Sequence, residues 1–240
     1  MDRPFYSITI NEKNTWDEWK LMPVKAGKIE FATPEMKYES VEIAGSDNAL
    51  DMSEVLTGYP LYESRRGSLT FRFFDTGVPA RSRFDQLKNF VHGKKVKVIN
   101  EDQPEYYYEG RMMVGDFKPS KGNWGDVEIS YILDAYKLEI NSTADDWLWD
   151  PFNFETGVIR EYGEIMITNH GTVTVIGSRK PTVPRFTVTG GGLNLTIGTS
   201  EYYLPVGKTV FPQLVLTDQE YEFVFDGHGT VSIDITAGSL

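Results

Sequence analysis

The sequence predicts a mainly β protein in two parts, with antiparallel strands throughout and one helix. Three observations carry the prediction. Short runs of alternating apolar and polar residues, the period of a half-buried strand, recur between clusters of Gly, Asn, Asp, Ser and Pro. Residues 81–92 hold the one convincing set of apolar residues at helical spacing. Around residues 140–153, INSTADDWLWDPFN, the chain becomes polar and acidic, and beyond it only short strands and turns follow.

Taken in order, residues 5–10 alternate as a strand and residues 11–15 turn it. Trp16 and Trp19 come next, as anchors of the core or of a subunit contact, because tryptophan buries much area at either kind of site. Glu39, Val41 and Ile43 against Ser40 and Glu42 predict an edge strand. The stretch 45–74, GSDNALDMSEVLTGYPLYESRRGSLTFRFF, organises the first part of the chain. Gly45, Ser46, Asp47 and Asn48 are turn residues, and Leu50, Val55 and Leu56 are too few for a helix. Tyr59 is held extended by Pro60. Leu69, Phe71 and Phe73 alternate with Ser68, Thr70 and Arg72 as a strong strand. The segment before that strand reads as a long surface loop or as an extended arm.

In residues 81–92, Phe84, Leu87, Phe90 and Val91 form one face, with Ser82 as the expected N-cap, Asp85 in the first turn and Gly93 as the left-handed stop. Residues 94–99 predict a strand whose lysines face outward and discourage edge pairing. Residues 101–104 turn into a strand over 106–112, and 127–132 completes the sheet through a connection at 119–123. Trp147 and Trp149 would share a strand face in the boundary segment. Beyond it, strands are expected at 164–169, 172–176, 185–189, 193–197, 201–204, 213–216, 220–225 and 230–235, an antiparallel sandwich.

Three pieces of the first part resemble the distal tail protein (Dit) family of siphophages and prophages. They are NTWDEWKLMP at 14–23, the run from LDMSE at 50–54 through TGYPLY to RGSLTF at 66–71, and GKKVKV at 93–98 followed by EDQP and YYYEGRM up to 112. The resemblance implies a split-barrel-like β domain over residues 1–139, with one packed helix and a belt arm, closing as a hexameric ring. It implies a linker at 140–153 and a galectin-like antiparallel β-sandwich over 154–240. The implied role is a virion protein of the distal tail or baseplate, made in the host cytoplasm. The ring would join the tail tube to the tail-tip protein, with receptor-binding proteins docking outside. Its subunit-interface candidates are Trp16, Trp19, Leu50, Tyr59, Leu61, Tyr62, Arg65 and Arg66. DNA would pass through without specific binding, past a wall that is acidic or neutral, with the lysines of 93–98 turned elsewhere.

Composition sets bounds. At 240 residues there is chain enough for one large or two small domains. Absence of cysteine excludes disulfides, thiolate metal sites and a cysteine nucleophile. A net charge of -11 argues against a nucleic-acid-gripping surface. Residues 1–140 carry 19 Lys/Arg against 23 Asp/Glu (net -4), and residues 141–240 carry 5 against 12 (net -7). The opening MDRPFYSITI does not read as a signal peptide, and no apolar run reaches the roughly eighteen residues of a membrane span.

No catalytic, metal or cofactor site is expected. His92, His170 and His228 lie on unrelated elements, and the Gly190-Gly191-Gly192 run reads as a turn without the helix of a phosphate cradle. Asp145, Asp146 and Asp150 lack the spacing of a calcium loop. The rival reading is a glycan-binding module in the second domain. All five tryptophans precede residue 150, so its sugar platform would need Tyr162, Tyr202, Tyr203 or Tyr221.

Overall fold

A computed structural model describes residues 5–25, 29–120, 123–140 and 162–240. The chain forms two compact units, Met1–Lys137 and Leu138–Leu240. Trp147, Trp149, the three boundary aspartates and nearly all of the expected linker lie outside the described residues.

The first unit contains β1 (Ile8–Ile10), β2 (Lys13–Asn14), α1 (Thr15–Trp19), β3 (Leu21–Pro23), β4 (Ser40–Val41), β5 (Leu50–Asp51), β6 (Arg65–Phe73), α2 (Ala80–Val91), β7 (Lys95–Asn100), β8 (Tyr106–Pro119) and β9 (Gly125–Leu133). Its main sheet has the order β2-β1-β7-β8-β9-β6-β3, with antiparallel pairs. Alternation places the core as expected: Phe71 and Phe73 of β6, Val96 and Val98 of β7, and Val127, Ile129 and Tyr131 of β9 point inward. Lys95 and Lys97 point outward. Helix α2 covers the sheet with Phe84, Leu87 and Val91, and Phe90 is half-buried beside them.

Two local expectations change. Helix α2 begins at Ala80, with Pro79 at the cap and no side-chain cap bond, so Ser82 sits inside the first turn. Proline's fixed φ presets the backbone for helix entry, and Ser82 N donates to Pro79 O at 3.2 Å. The turn after β1 is confined to Asn11 and Glu12, whose φ values are 45° and 70°. Asn14 then caps the short helix α1, its Oδ1 accepting from the amides of Trp16 at 2.9 Å and Asp17 at 3.3 Å. A helix of five residues is too short to leave a period in the sequence.

The chain leaves the first unit within β10 (Lys137–Glu139). The second unit holds β11 (Ile165–Ile176), β12 (Arg185–Ile197), β13 (Ser200–Leu204), β14 (Gly207–Val210), β15 (Glu220–Asp234) and β16 (Gly238–Ser239). Its sheet has the order β11-β15-β12-β13, with β14 also on β12 and every pair antiparallel. Six of the eight expected strands are therefore halves of three long ones. Gly207–Val210 is a strand the alternation did not flag, and residues 213–216 leave only a single bridge, Thr182 to Leu216.

Glycine explains the merger. Gly190, Gly191 and Gly192 lie inside β12 rather than between strands, and the register against β15 shifts between Gly190 and Leu193. Gly190 takes φ 87°, and a Cβ on Gly191 would meet the carbonyl of His228. The extra residue of such a bulge reverses which parity faces inward. Phe186 and Val188 before it and Leu193 and Leu195 after it consequently enter one core, with Phe223, Phe225, Val231 and Ile233 of β15.

Candidate assembly surface

Between β3 and β6 the chain leaves the first unit's core and returns as a two-legged arm. Residues 35–43 form one leg and residues 50–63 the other. Backbone bonds join them from root to tip: Glu63 N to Glu35 O at 2.8 Å, Lys37 N to Leu61 O at 2.9 Å and Met52 N to Glu39 O at 2.8 Å. Beyond these, β4 pairs with β5 in the register Ser40–Asp51 and Val41–Leu50. Gly45, at φ 83°, turns the tip, and Ser46 N donates to Ile43 O. The edge strand expected near residue 41 thus pairs with the arm segment before β6, not with the main sheet. Two strands with no third are marginal in water, so the arm depends on what it touches.

Its surface is unusually apolar. Leu56 is 96% exposed, Val55 62% and Tyr38 61%, while Met36, Val41, Ile43, Leu50 and Leu61 are also exposed. Scattered exposed apolar residues need no explanation, but this many on one narrow element mark a contact surface. Hydrogen bonding from Ser53 holds the Asp51 carboxyl below the usual carboxylate range.

The root is built as firmly as the tip is bare. Arg65, only 4% exposed, turns inward from the start of β6. Its Nε donates to Ala135 O and its Nη1 to Ala32 O, both at 2.8 Å, so one side chain ties the returning leg to the departing one. Tyr131 Oη accepts from Ala32 N at 2.8 Å, and Phe31 packs its ring against Tyr108 and Tyr131. Tyr62 meets Tyr136 edge-on at 5.8 Å. Gly67 lies under the Tyr131 ring, where any Cβ would collide with it. Burial lowers the Arg65 pKa from its ordinary value, but a guanidinium remains charged. Truncation to Arg65→Ala strands both carbonyls and is expected to destabilise the first unit by about 2–4 kcal/mol. Chemical denaturation measures the loss, with amide exchange speeding first around residues 32 and 65.

The interface candidates divide accordingly. Leu50 and Leu61 are exposed on the arm, Tyr59 and Tyr62 are half-buried near its base, and Arg66 is exposed at the start of β6. Trp16 is half-buried between Phe5 and Phe74, with Lys20 over its ring. Trp19, 2% exposed, belongs to the core, and Arg65 is interior. The first leg, with Met36, Tyr38, Val41 and Ile43, was absent from the candidates. Its signal was the irregular alternation of residues 37–43.

The remaining candidate chemistry stays dispersed. His92 Nδ1 lies 3.0 Å from Val114 O at the end of α2, His170 Nδ1 pairs with Asp226 at 2.8 Å on β11, and His228 is on β15. Among the described residues there is no group of three His, Asp or Glu arranged for a metal, and no helix long and apolar enough to cross a membrane. Of the four tyrosines, Tyr162 is buried, Tyr202 and Tyr221 pack against the core, and Tyr203 is 63% exposed. The Tyr203 ring covers Gly192, a way of shielding a glycine within a sheet.

No protein-family model matches the chain, and no curated protein matches it. Among solved structures it is similar to the crystallised Dit (gp 19.1) protein of SPP1, described as a paradigm of the hub adsorption apparatus in phages that infect Gram-positive bacteria. The TM-score is 0.58 at 13% sequence identity, over 98% of this chain and 99% of that one. At that identity the likeness establishes a shared fold: mainly β, with antiparallel sheets, along the whole described length.

Proposed function

We propose that the protein is a structural component of a siphophage tail tip, in which copies close head to tail into a ring around the DNA-ejection channel. The ring, taken as six-fold, joins the tail tube to the tip or baseplate. The second unit, galectin-like in the same reading, faces other tail-tip or receptor-binding proteins. The carrying observation is the arm: a rigidly rooted, apolar, two-legged projection that its own unit leaves uncovered. A contact in which one patch covers a different patch on the next copy closes into a ring when its rotation is a fraction of a full turn. The fold shared with SPP1 Dit supports the reading. Purified protein, imaged by negative stain and weighed by light scattering across concentration, should give six-fold rings. Monomer at every concentration, with no ring in reconstituted tail tips, refutes it.

A further inference from the structure

We infer that the arm of one copy is held by an electrostatic latch on the next, its acidic residues lying against Lys94, Lys95, Lys97 and Arg111. The inference rests on the ring reading above and adds the receiving surface and the force that selects it. By sequence, residues 35–63 hold seven Asp/Glu and one Lys, net -6, whereas the rest of Met1–Lys137 holds 15 Asp/Glu and 18 Lys/Arg, net +3. The arm is thus opposite in sign to the unit that bears it.

Within one chain each side is only partly neutralised, the arm keeping a surplus of acids and the basic face a surplus of cations. The arm's ion pair, Lys37 to Glu63 at 3.9 Å, sits at its root, and among the described residues Glu39, Glu42, Asp47, Asp51 and Glu54 have no cation partner. On the receiving side, Lys95 and Lys97 share the outward face of β7, and Arg111 stands opposite Lys95 on β8. Lys94 borders them, its Nζ on Asn89 O at 2.8 Å, while Arg111 Nη1 holds Gly93 O at 2.8 Å. Two acids adjoin this face, Glu109 at 3.2 Å from Lys95 and Glu12 in the recess beside Lys97. Beside Lys97 lies a shallow recess of about 400 Å³, lined also by Thr9, Asn11, Glu12 and Ile99, which offers Ile99 to an apolar arm residue.

From Met36 to Val41 the first leg takes five residue steps, roughly 17 Å at strand rise. Repeated head to tail, each copy presents an acidic arm and receives one on a basic face. Complementary charge of this kind fixes register and suppresses wrong pairings more than it adds affinity. Turning these lysines toward a neighbour's arm also keeps them off the wall of a channel that DNA must traverse.

The test uses the full-length chain. Raising NaCl from about 0.05 to 0.5 M should increase the concentration needed for half-assembly about tenfold or more, since screening weakens exposed charge pairs. Glu39→Lys with Glu42→Lys and Glu54→Lys should abolish rings, as should Lys94→Glu with Lys95→Glu and Lys97→Glu, and an equimolar mixture of the two variants should recover mixed assemblies. Because the chain has no cysteine, Glu54→Cys and Lys95→Cys preparations can be mixed and joined with a bismaleimide, giving a cross-linked pair only if the two sites meet between copies. Rings that ignore both reversals and salt overturn the latch while leaving the ring reading intact. So does a lysine variant that keeps its rings but loses binding of a labelled DNA duplex. A wild type that never assembles overturns both.

Discussion

Replacing residues 37–61 with a short Gly/Ser linker abolishes ring formation and leaves both units folded. The cut is chosen at the root, where Met36 and Tyr62 already face each other across a backbone bridge, so a few residues close the gap. Nothing inside the excision belongs to the first unit's core, whose buried residues resume at Phe71. Arg65, Ala32 and Tyr131 also lie outside it, and the clamp at the root survives. Shortening a surface excursion costs little, because closure entropy changes slowly with loop length. The effect on assembly is large by contrast. A large apolar side chain that is covered at a contact stabilises it by about 1.5–3 kcal/mol, so losing even four exceeds about 5 kcal/mol, or more than a thousandfold in association. Light scattering should report monomer at concentrations where the wild type forms rings, with a thermal midpoint within a few degrees of wild type. A deletion variant that still assembles would reduce the arm to a loop.

Arg83→Met unfolds or severely weakens the first unit, by about 3–5 kcal/mol, although it keeps most of the side-chain volume. Arg83 points from α2 into the interior, where its Nη1 donates to Trp19 O at 3.0 Å and its Nη2 to Phe74 O at 2.7 Å and Val78 O at 3.3 Å. One guanidinium therefore ties the end of α1, the residue after β6 and the loop into α2. Its flat face lies against the Phe73 ring at 5.6 Å. Burial lowers its pKa and Asp75 opposes the shift, but the group remains a cation. A methionine leaves three carbonyls without this donor. Arg83→Lys should recover only part of the loss, because an ammonium lacks the planar fork that spans them. Urea unfolding of the three proteins measures the order; a methionine variant within about 1 kcal/mol of wild type would show that water replaces the guanidinium.

Both arginines show where sequence reading stops. Arg65 and Arg66 stand side by side in RRGS, both read as interface candidates, and Arg83 sits in ARSRFD at the helix start; nothing local marks which arginine turns inward. Burial of each is decided by carbonyls contributed from far along the chain, such as Ala32 and Ala135 for Arg65. The same limit applied to the arm. Residues 39–43 were legible as an edge strand, but 50–51 carried no strand signal, and the pairing of the two depends on the tip turn and on a root built by residues far along the chain.

What the sequence determined by itself was the class of the fold and the faces of its regular elements. The alternation of 95–100 put Val96 and Val98 inside and the lysines outside, and the spacing of Phe84, Leu87 and Val91 produced α2. Tertiary structure alone decided that six apparent strands of the second unit are three, that Trp19 is core, and that the arm has two legs. The reason is physical. Side-chain period reports which residues share a face, because that follows from backbone geometry alone. It does not name the partner strand. A glycine run satisfies a turn and a bulge equally well until a neighbour such as β15 supplies the hydrogen bonds that carry the strand through it.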